Sequence, residues 1–179
     1  MIYCFVEKGD IMHFRKATSK DIYQILAIIN QAKVYFKKQG IDQWQDGYPN
    51  FETILNDIQQ EESYVLELEN QIIATAMITT KKDPNYTHIQ DGNWLHNGAY
   101  SVIHRIAINP EYKGKNIASL LIKSASILYP KVQSIRVDTH EDNHSMQRLL
   151  EKNGFEYCGI IYVSANAKRK AYEKITKPF

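Results

Sequence analysis

Residues 102–121, VIHRIAINPEYKGKNIASLL, constrain this 179-residue chain more than any other stretch. An apolar, β-prone run ends at Asn109-Pro110. A compact basic turn follows, Lys113-Gly114-Lys115-Asn116, and an amphipathic helix starts at once with Ile117, Leu120 and Leu121 on one face. A strand that feeds directly into a helix is a candidate for parallel pairing, and it points to a mixed architecture. The same order of strand, amide-rich turn and helix N-terminus suits a pyrophosphate. Gly114 opens the backbone, Asn116 tolerates left-handed angles better than other non-glycine residues, Lys113 and Lys115 bring charge, and Ala118 keeps the helix start approachable. A solvated basic turn between strand and helix fits these residues equally well. The spacing is neither that of a P-loop nor G-x-G-x-x-G.

The remaining pattern is read from periodicity and punctuation. Residues 13–17 predict a strand. The segment 18–21 (Thr-Ser-Lys-Asp) caps a helix in which Ile22, Ile25, Leu26, Ile29, Ala32 and Phe36 recur, and Gly40 stops it. Residues 41–49 predict a loop, and Asn50 caps a second helix with Phe51, Ile54, Leu55 and Ile58 inward. Two strands, 63–69 and 71–80, form a hairpin around Glu69-Asn70. Residues 81–98 read as a surface loop. After the 100–109 strand, the turn and a helix to about residue 129, a strand is expected over 132–139. A helix over 143–153 carries Met146, Leu149 and Leu150 and ends at Gly154 in a left-handed cap. Strands over 155–165 and 170–175 close the chain around a turn at 166–169.

This order, without repeats or a low-complexity linker, predicts one mixed α+β domain over residues 12–179, with residues 1–11 as an extension. Length and a 44% hydrophobic content allow a real core. A net charge of +2 gives no basis for nucleic-acid binding. Two distant cysteines, Cys4 and Cys158, make no disulfide framework, and the sequence has neither a secretion signal nor a run of ~20 apolar residues, so a cytoplasmic protein without membrane partners is expected. His140 and His144 span a strand end and a helix start, so no metal site is expected.

The segment Lys113-Gly114-Lys115-Asn116-Ile117-Ala118 resembles motif A of the GNAT N-acetyltransferase superfamily, Gln/Arg-x-x-Gly-x-Gly/Ala, with Lys for the first residue and Asn for the central glycine. Residues 143–155, NHSMQRLLEKNGF, are similar to the second family signature, N-x-x-A-x-x-L-Y-E-K-x-G-F. The resemblance spans residues 12–175. It implies a GNAT-like three-layer α+β fold: a central, mostly antiparallel sheet with one splayed parallel pair and helices on both faces. It also implies an acetyl-CoA site. A bulge in the strand from Val102 would leave Ile106, Ala107 and Ile108 to pair with the pantetheine arm. The turn from Lys113 through Gly114, Lys115, Asn116, Ile117 and Ala118 to Ser119 would bind the pyrophosphate, and Asn143 would reach the pantetheine amides.

Acetyl transfer to an amine needs a base, because a lysine-like amine has a pKa of about 10.4. His104, two residues before Ile106, is the candidate. A packed strand histidine is the competing reading. Asp138 and Glu141 would attract the cationic amine, and Trp44 and Tyr48 would shape the pocket for a small-molecule or peptide acceptor. The family's usual acid, a Tyr in the last helix, is replaced by Leu150. Tyr157 or Tyr162 could substitute, and Cys158 reads as strand packing. The leading expectation is direct acetyl transfer from acetyl-CoA to a primary amine. The alternatives are a non-catalytic acyl-CoA-binding module of the same fold and a protein-interaction domain. A homodimer is compatible with the β-rich C-terminus.

Overall fold

The computed structural model describes residues 2–7, 10–163 and 167–176. Its strands are β1 (Ile2–Glu7), β2 (Asp10–Lys16), β3 (Ser63–Leu68), β4 (Gln71–Thr79), β5 (Tyr100–Ile108), β6 (Ser134–Thr139), β7 (Glu156–Val163) and β8 (Ala167–Ile175). Its helices are α1 (Ile22–Lys38), α2 (Phe51–Gln59), α3 (Ile117–Leu128) and α4 (His144–Lys152). The chain is of the expected mixed α+β class. The pairs β1–β2, β2–β3, β3–β4, β6–β8 and β7–β8 are antiparallel, and β5–β6 is parallel.

Two compact units contain these elements. The first holds Met1–Ile78 with Arg105–Ser124, and the second holds Thr79–His104 with Ala125–Phe179. Strand order is β1-β2-β3-β4-β5 in the first and β5-β6-β8-β7 in the second.

In the first unit, Ile22, Ile25, Ile28 and Ile29 of α1 pack with Ile54 of α2 against Val65, Ile72 and Ala107 of the strands. Isoleucines spaced three and four apart supply the apolar stripe. Asn50 caps α2 by accepting the Thr53 amide at 2.9 Å. The β3–β4 turn places Glu69 and Asn70 at φ +49° and +64°, the paired left-handed residues of a two-residue hairpin turn.

In the second unit, Tyr86, Val102, Ile161 and Ala171 form a core with Trp94 and Tyr100 packed on it. Gly154, at φ +79°, ends α4 in the left-handed cap that its sequence predicts.

Several expectations are corrected. The strand expected over residues 13–17 is β2, which starts at Asp10 and ends at Lys16, with β1 paired along it from Ile2↔Arg15 to Glu7↔Asp10. Phe51 is exposed, and Asp57 is the residue α2 buries beside Ile54. On α4 the buried positions are Gln147 and Leu150. Ala167, Lys168 and Arg169, expected in a turn, are paired strand residues opposite Val163, Tyr162 and Ile161. Ala165 and Asn166 lie outside the described residues.

Candidate functional site

β5 is the scaffold. Within the second unit its parallel pairing with β6 covers only Tyr100↔Ser134, Ser101↔Ile135 and Val102↔Arg136. β5 runs on to His104 there and β6 to Thr139 without further pairing, so the two strands part at their carboxyl ends. Ligand grooves open at such places.

Within the first unit β5 resumes at Arg105, which sits at φ +55° in the middle of a strand. A left-handed arginine here is strained and marks the bulge that the family resemblance implies. The Arg105 guanidinium donates to both oxygens of Asp57, Nε to Oδ2 at 2.9 Å and Nη2 to Oδ1 at 2.8 Å. Asp57 is 4% exposed. Planar, bidentate and largely desolvated, the pair holds Arg105 against its backbone strain. Arg105 Nη1 also donates to the Tyr48 hydroxyl, which ties the 41–49 loop to the bulge. Ile106 and Ala107 beyond it are buried, and Ile108 is half-buried.

The basic turn follows in the same unit. Asn109 accepts the Glu111 amide at 3.1 Å and a short 3-10 turn runs from Pro110 to Tyr112. Gly114 and Asn116 then both adopt left-handed angles, φ +78° and +61°. Left-handed residues recur in the backbone nests that bind anions, and the Lys115 amide between these two donates to the Tyr112 carbonyl at 3.3 Å. Nothing lies within 4 Å of where a Gly114 side chain would begin, so the surface above the turn is open. The first bond of α3 is Leu120 N to Asn116 O at 3.1 Å, so Ile117 and Ala118 precede it at the positive end of the helix dipole. Lys113 Nζ rests 3.7 Å from the Tyr35 ring and Lys115 Nζ 4.7 Å from the Tyr112 ring, both at the rim of the turn. Cation–π contact keeps each ammonium beside the open backbone without neutralising it.

In the second unit His104 lies between two carboxylates. Its Nε2 is 3.3 Å from Asp83 Oδ2, and its Nδ1 is 3.8 Å from Asp138 Oδ1. The hydrogen bond with His104 is the main reason the Asp83 carboxyl is held below its ordinary range, against its own burial. Asp138 Oδ1 accepts the Tyr86 hydroxyl at 2.6 Å, and Arg169 Nε stands 3.9 Å from Asp138 Oδ2. Burial, then the Asp138 charge, pushes the Tyr86 phenol well up, so it stays a donor. The Tyr86 ring meets His104 edge-on at 5.8 Å and stacks on Trp94 at 5.4 Å.

The loop that carries Asp83 and Tyr86 is pinned from below. Glu173 is fully buried and accepts from Arg136 Nε at 2.9 Å, Ser134 Oγ at 2.6 Å and the Leu95 amide at 2.5 Å. Arg136 lies 4.0 Å from the Trp94 ring and 3.9 Å from the Tyr100 ring. Residues 81–98 are therefore not a free surface loop. Nothing periodic in the sequence marks Asp83 or Tyr86 as site residues. The available signal is four apolar or aromatic residues, Tyr86, Ile89, Trp94 and Leu95, in a mostly polar stretch.

The other predicted residues are placed as follows. Asp138 joins His104. Glu141 does not, and pairs instead with Lys168 at 3.3 Å. Trp44 packs edge-on against Phe36 at 5.4 Å and belongs to the core margin of the first unit. Tyr48 is exposed. Asn143 is buried and caps α4, accepting the Met146 amide at 3.2 Å and the Ser145 hydroxyl at 3.0 Å. Ser119 is half-buried in the first turn of α3. Leu150 is fully buried, while Tyr157 and Tyr162 are exposed on β7. Burial, helped by Glu173, pushes the Cys158 thiol up to about 11. No described helix is long and apolar enough to cross a membrane.

A sequence profile of the Acetyltransferase (GNAT) family matches residues 23–155. A search of curated proteins gave no match. Among solved structures, a GNAT-family acetyltransferase from Streptococcus agalactiae is 33% identical, with a TM-score of 0.88 over 99% of both chains. One from Listeria monocytogenes is 21% identical, with a TM-score of 0.73 over 97% of this chain and 99% of that one. The PaiA N-acetyltransferase of Thermoplasma acidophilum, in complex with coenzyme A, shares the fold at 18% identity and a TM-score of 0.67, over 92% of this chain and 98% of that one. With the bulged β5, the doubly left-handed turn and the profile match over most of its length, this chain belongs to the GNAT acetyltransferase family.

Proposed function

We propose that this protein is an acetyl-CoA-dependent N-acetyltransferase that acts on a primary amine by direct attack. The observation that carries the cofactor assignment is the pair of left-handed residues, Gly114 and Asn116, at the open start of α3. Their amides and those of Ile117, Ala118 and Ser119 hold the pyrophosphate, with Lys113 and Lys115 at its rim. Backbone groups of Ile106 and Ile108, freed by the Arg105 bulge, pair with the pantetheine arm. A complex of the PaiA enzyme with coenzyme A supports this reading by analogy of fold.

Acetyl-CoA supplies a thioester whose carbonyl carbon accepts the amine and whose thiolate leaves. Asp138, beside His104, attracts the ammonium. His104 takes a proton from it and frees the nitrogen lone pair. The Ile106 amide donates to the oxygen that gains charge as the C–N bond forms. As the C–S bond breaks, one of the ammonium's three protons stays on the amide, one goes to the thiolate and one is released. Cys158 supports transfer without an acyl-enzyme: a thiol pushed up to about 11 and buried is a poor nucleophile at neutral pH. Tyr48, exposed and tied to Arg105, is the residue of its loop that this reading assigns to acceptor contact.

Isothermal calorimetry with CoA and acetyl-CoA, followed by thiol release across an amine panel against pH, tests the proposal. Micromolar binding with turnover on at least one amine supports it, and absence of CoA binding overturns it. One observation favours a second reading, a binding module without catalysis: Leu150, at the family's acid position, is fully buried. That reading expects CoA binding with no amine turned over.

A further inference from the structure

We propose that Asp83 is a positioning residue that fixes the tautomer of His104, so that Nδ1 is the atom that accepts the proton of the amine. The inference deepens the reading of His104 as the base and rests on it. The two oxygens of Asp83 have separate tasks. Oδ1 accepts the Asn85 amide at 2.9 Å and the Asn85 side-chain amide at 2.9 Å, which anchors the carboxyl in its own 3-10 turn. Oδ2 is then directed at His104 Nε2, 3.3 Å away. An ionised carboxylate can only accept, so the Nε2 atom facing it carries the hydrogen. In the neutral imidazole this leaves the lone pair on Nδ1.

The opposite side of the ring agrees. Asp138 Oδ1 is 3.8 Å from Nδ1, beyond hydrogen-bond reach, and already accepts the Tyr86 hydroxyl at 2.6 Å. Nδ1 is therefore not consumed by Asp138. It stands beside a carboxylate, and a protonated amine that bridges the two from one side meets the lone pair and the negative charge together. The charged and titratable groups around His104 are Asp83 on its loop, Asp138 on β6 and Tyr86, with Arg169 of β8 reaching Asp138 at 3.9 Å. The edge-on Tyr86 ring, itself stacked on Trp94, limits rotation of the imidazole out of this alignment. The proton step balances simply: neutral His104 gains a proton at Nδ1, the ammonium becomes an amine, and Asp83 stays ionised.

Asp83→Asn separates this role from a structural one. The asparagine keeps an oxygen for Asn85 but turns an amide donor toward Nε2, which drives the ring hydrogen to Nδ1. Nitrogen-15 NMR of the His104 ring in the free wild-type protein at pH about 8.5, where an ordinary imidazole is neutral, reads the tautomer directly. The expected result is hydrogen on Nε2 in the wild type and on Nδ1 in Asp83→Asn. The variant should keep its CoA affinity by calorimetry, and its kcat should fall roughly 100-fold, the size of a general-base contribution. Hydrogen on Nδ1 in the wild type overturns the proposal, as does wild-type kcat in Asp83→Asn. The wild-type spectrum decides even if the variant does not fold. His104→Ala separates the two levels: full activity there removes His104 as the base, while loss of activity with a normal Asp83→Asn rate removes only Asp83.

Discussion

Gly114 and Asn116 share a left-handed backbone, but they hold it on different terms. Glycine adopts φ +78° at no steric cost, and asparagine adopts +61° at a small one. No atom lies within 4 Å of a Gly114 side chain, so substitution there is opposed by the backbone rather than by crowding. Gly114→Val is therefore expected to cost about 1–2 kcal/mol where the turn is kept, the penalty for a left-handed residue with a side chain. The turn relieves that cost by abandoning its conformation, and the amides then lose their common direction. CoA affinity should fall at least tenfold by calorimetry, a loss of about 1.4 kcal/mol or more. Asn116→Gly is the matched control: it removes the remaining strain and should bind CoA as the wild type does. Equal CoA affinity in Gly114→Val would separate the turn from the cofactor.

β5 shows why one element can be legible in sequence while its most consequential detail is not. Its apolar run, the Asn109-Pro110 stop and the helix that follows are local signals, and they placed the strand, the turn and α3 within a residue or two. Helices α1 and α2 were readable for the same reason, since their apolar spacing and their caps lie in contiguous sequence. The bulge is different. Arg105 takes φ +55° where Asp57, 48 residues away, receives its guanidinium. No window of sequence contains both. The same holds for His104, whose partners Asp83 and Asp138 come from a loop that reads as solvent-facing and from the next strand. Conversely, Glu141 and Trp44 have suitable chemistry, but tertiary contacts direct one to Lys168 and the other to Phe36. Asp57→Asn puts the bulge to the test. Removing one partner strands a largely buried guanidinium, at about 3 kcal/mol. For a chain of this size that lowers Tm by roughly 6–12 °C. Arg105→Lys keeps charge but cannot grip both oxygens, so it should recover only part of the loss. Differential scanning fluorimetry reads both variants, and wild-type melting in Asp57→Asn would show that the bulge holds itself.

At the scale of the whole molecule, groups in both units limit stability at opposite ends of the pH range. Burial alone would raise the Asp21 carboxyl, but hydrogen bonds from Arg15 and Thr18 outweigh it and hold it below its ordinary range. The bond to His104 does the same for Asp83. A carboxyl with a lowered folded pKa binds fewer protons folded than unfolded. Its contribution is complete above the ordinary value of about 3.9 and is lost as pH falls through the folded value. The alkaline side has the opposite sign. Burial first, then Glu173, pushes the Cys158 thiol up to about 11. The unfolded thiol ionises near ~8.5. Between those values the unfolded chain has released a proton that the folded chain retains, so stability falls as pH rises. Tyr86 and Tyr172, both raised chiefly by burial, add to the decline only above the ordinary phenol value of about 10. Cys158→Ala isolates the first part of this limb. The variant leaves a small void and should be less stable at neutral pH. The test lies in the slope rather than the level: from pH about 8 to about 10, urea unfolding should show wild-type stability losing ground with rising pH relative to Cys158→Ala, on top of the opposite, rising contribution of Lys33, whose ammonium burial holds below its ordinary value in both proteins. Equal slopes in the two proteins would mean that the thiol titrates alike in the folded and unfolded chains.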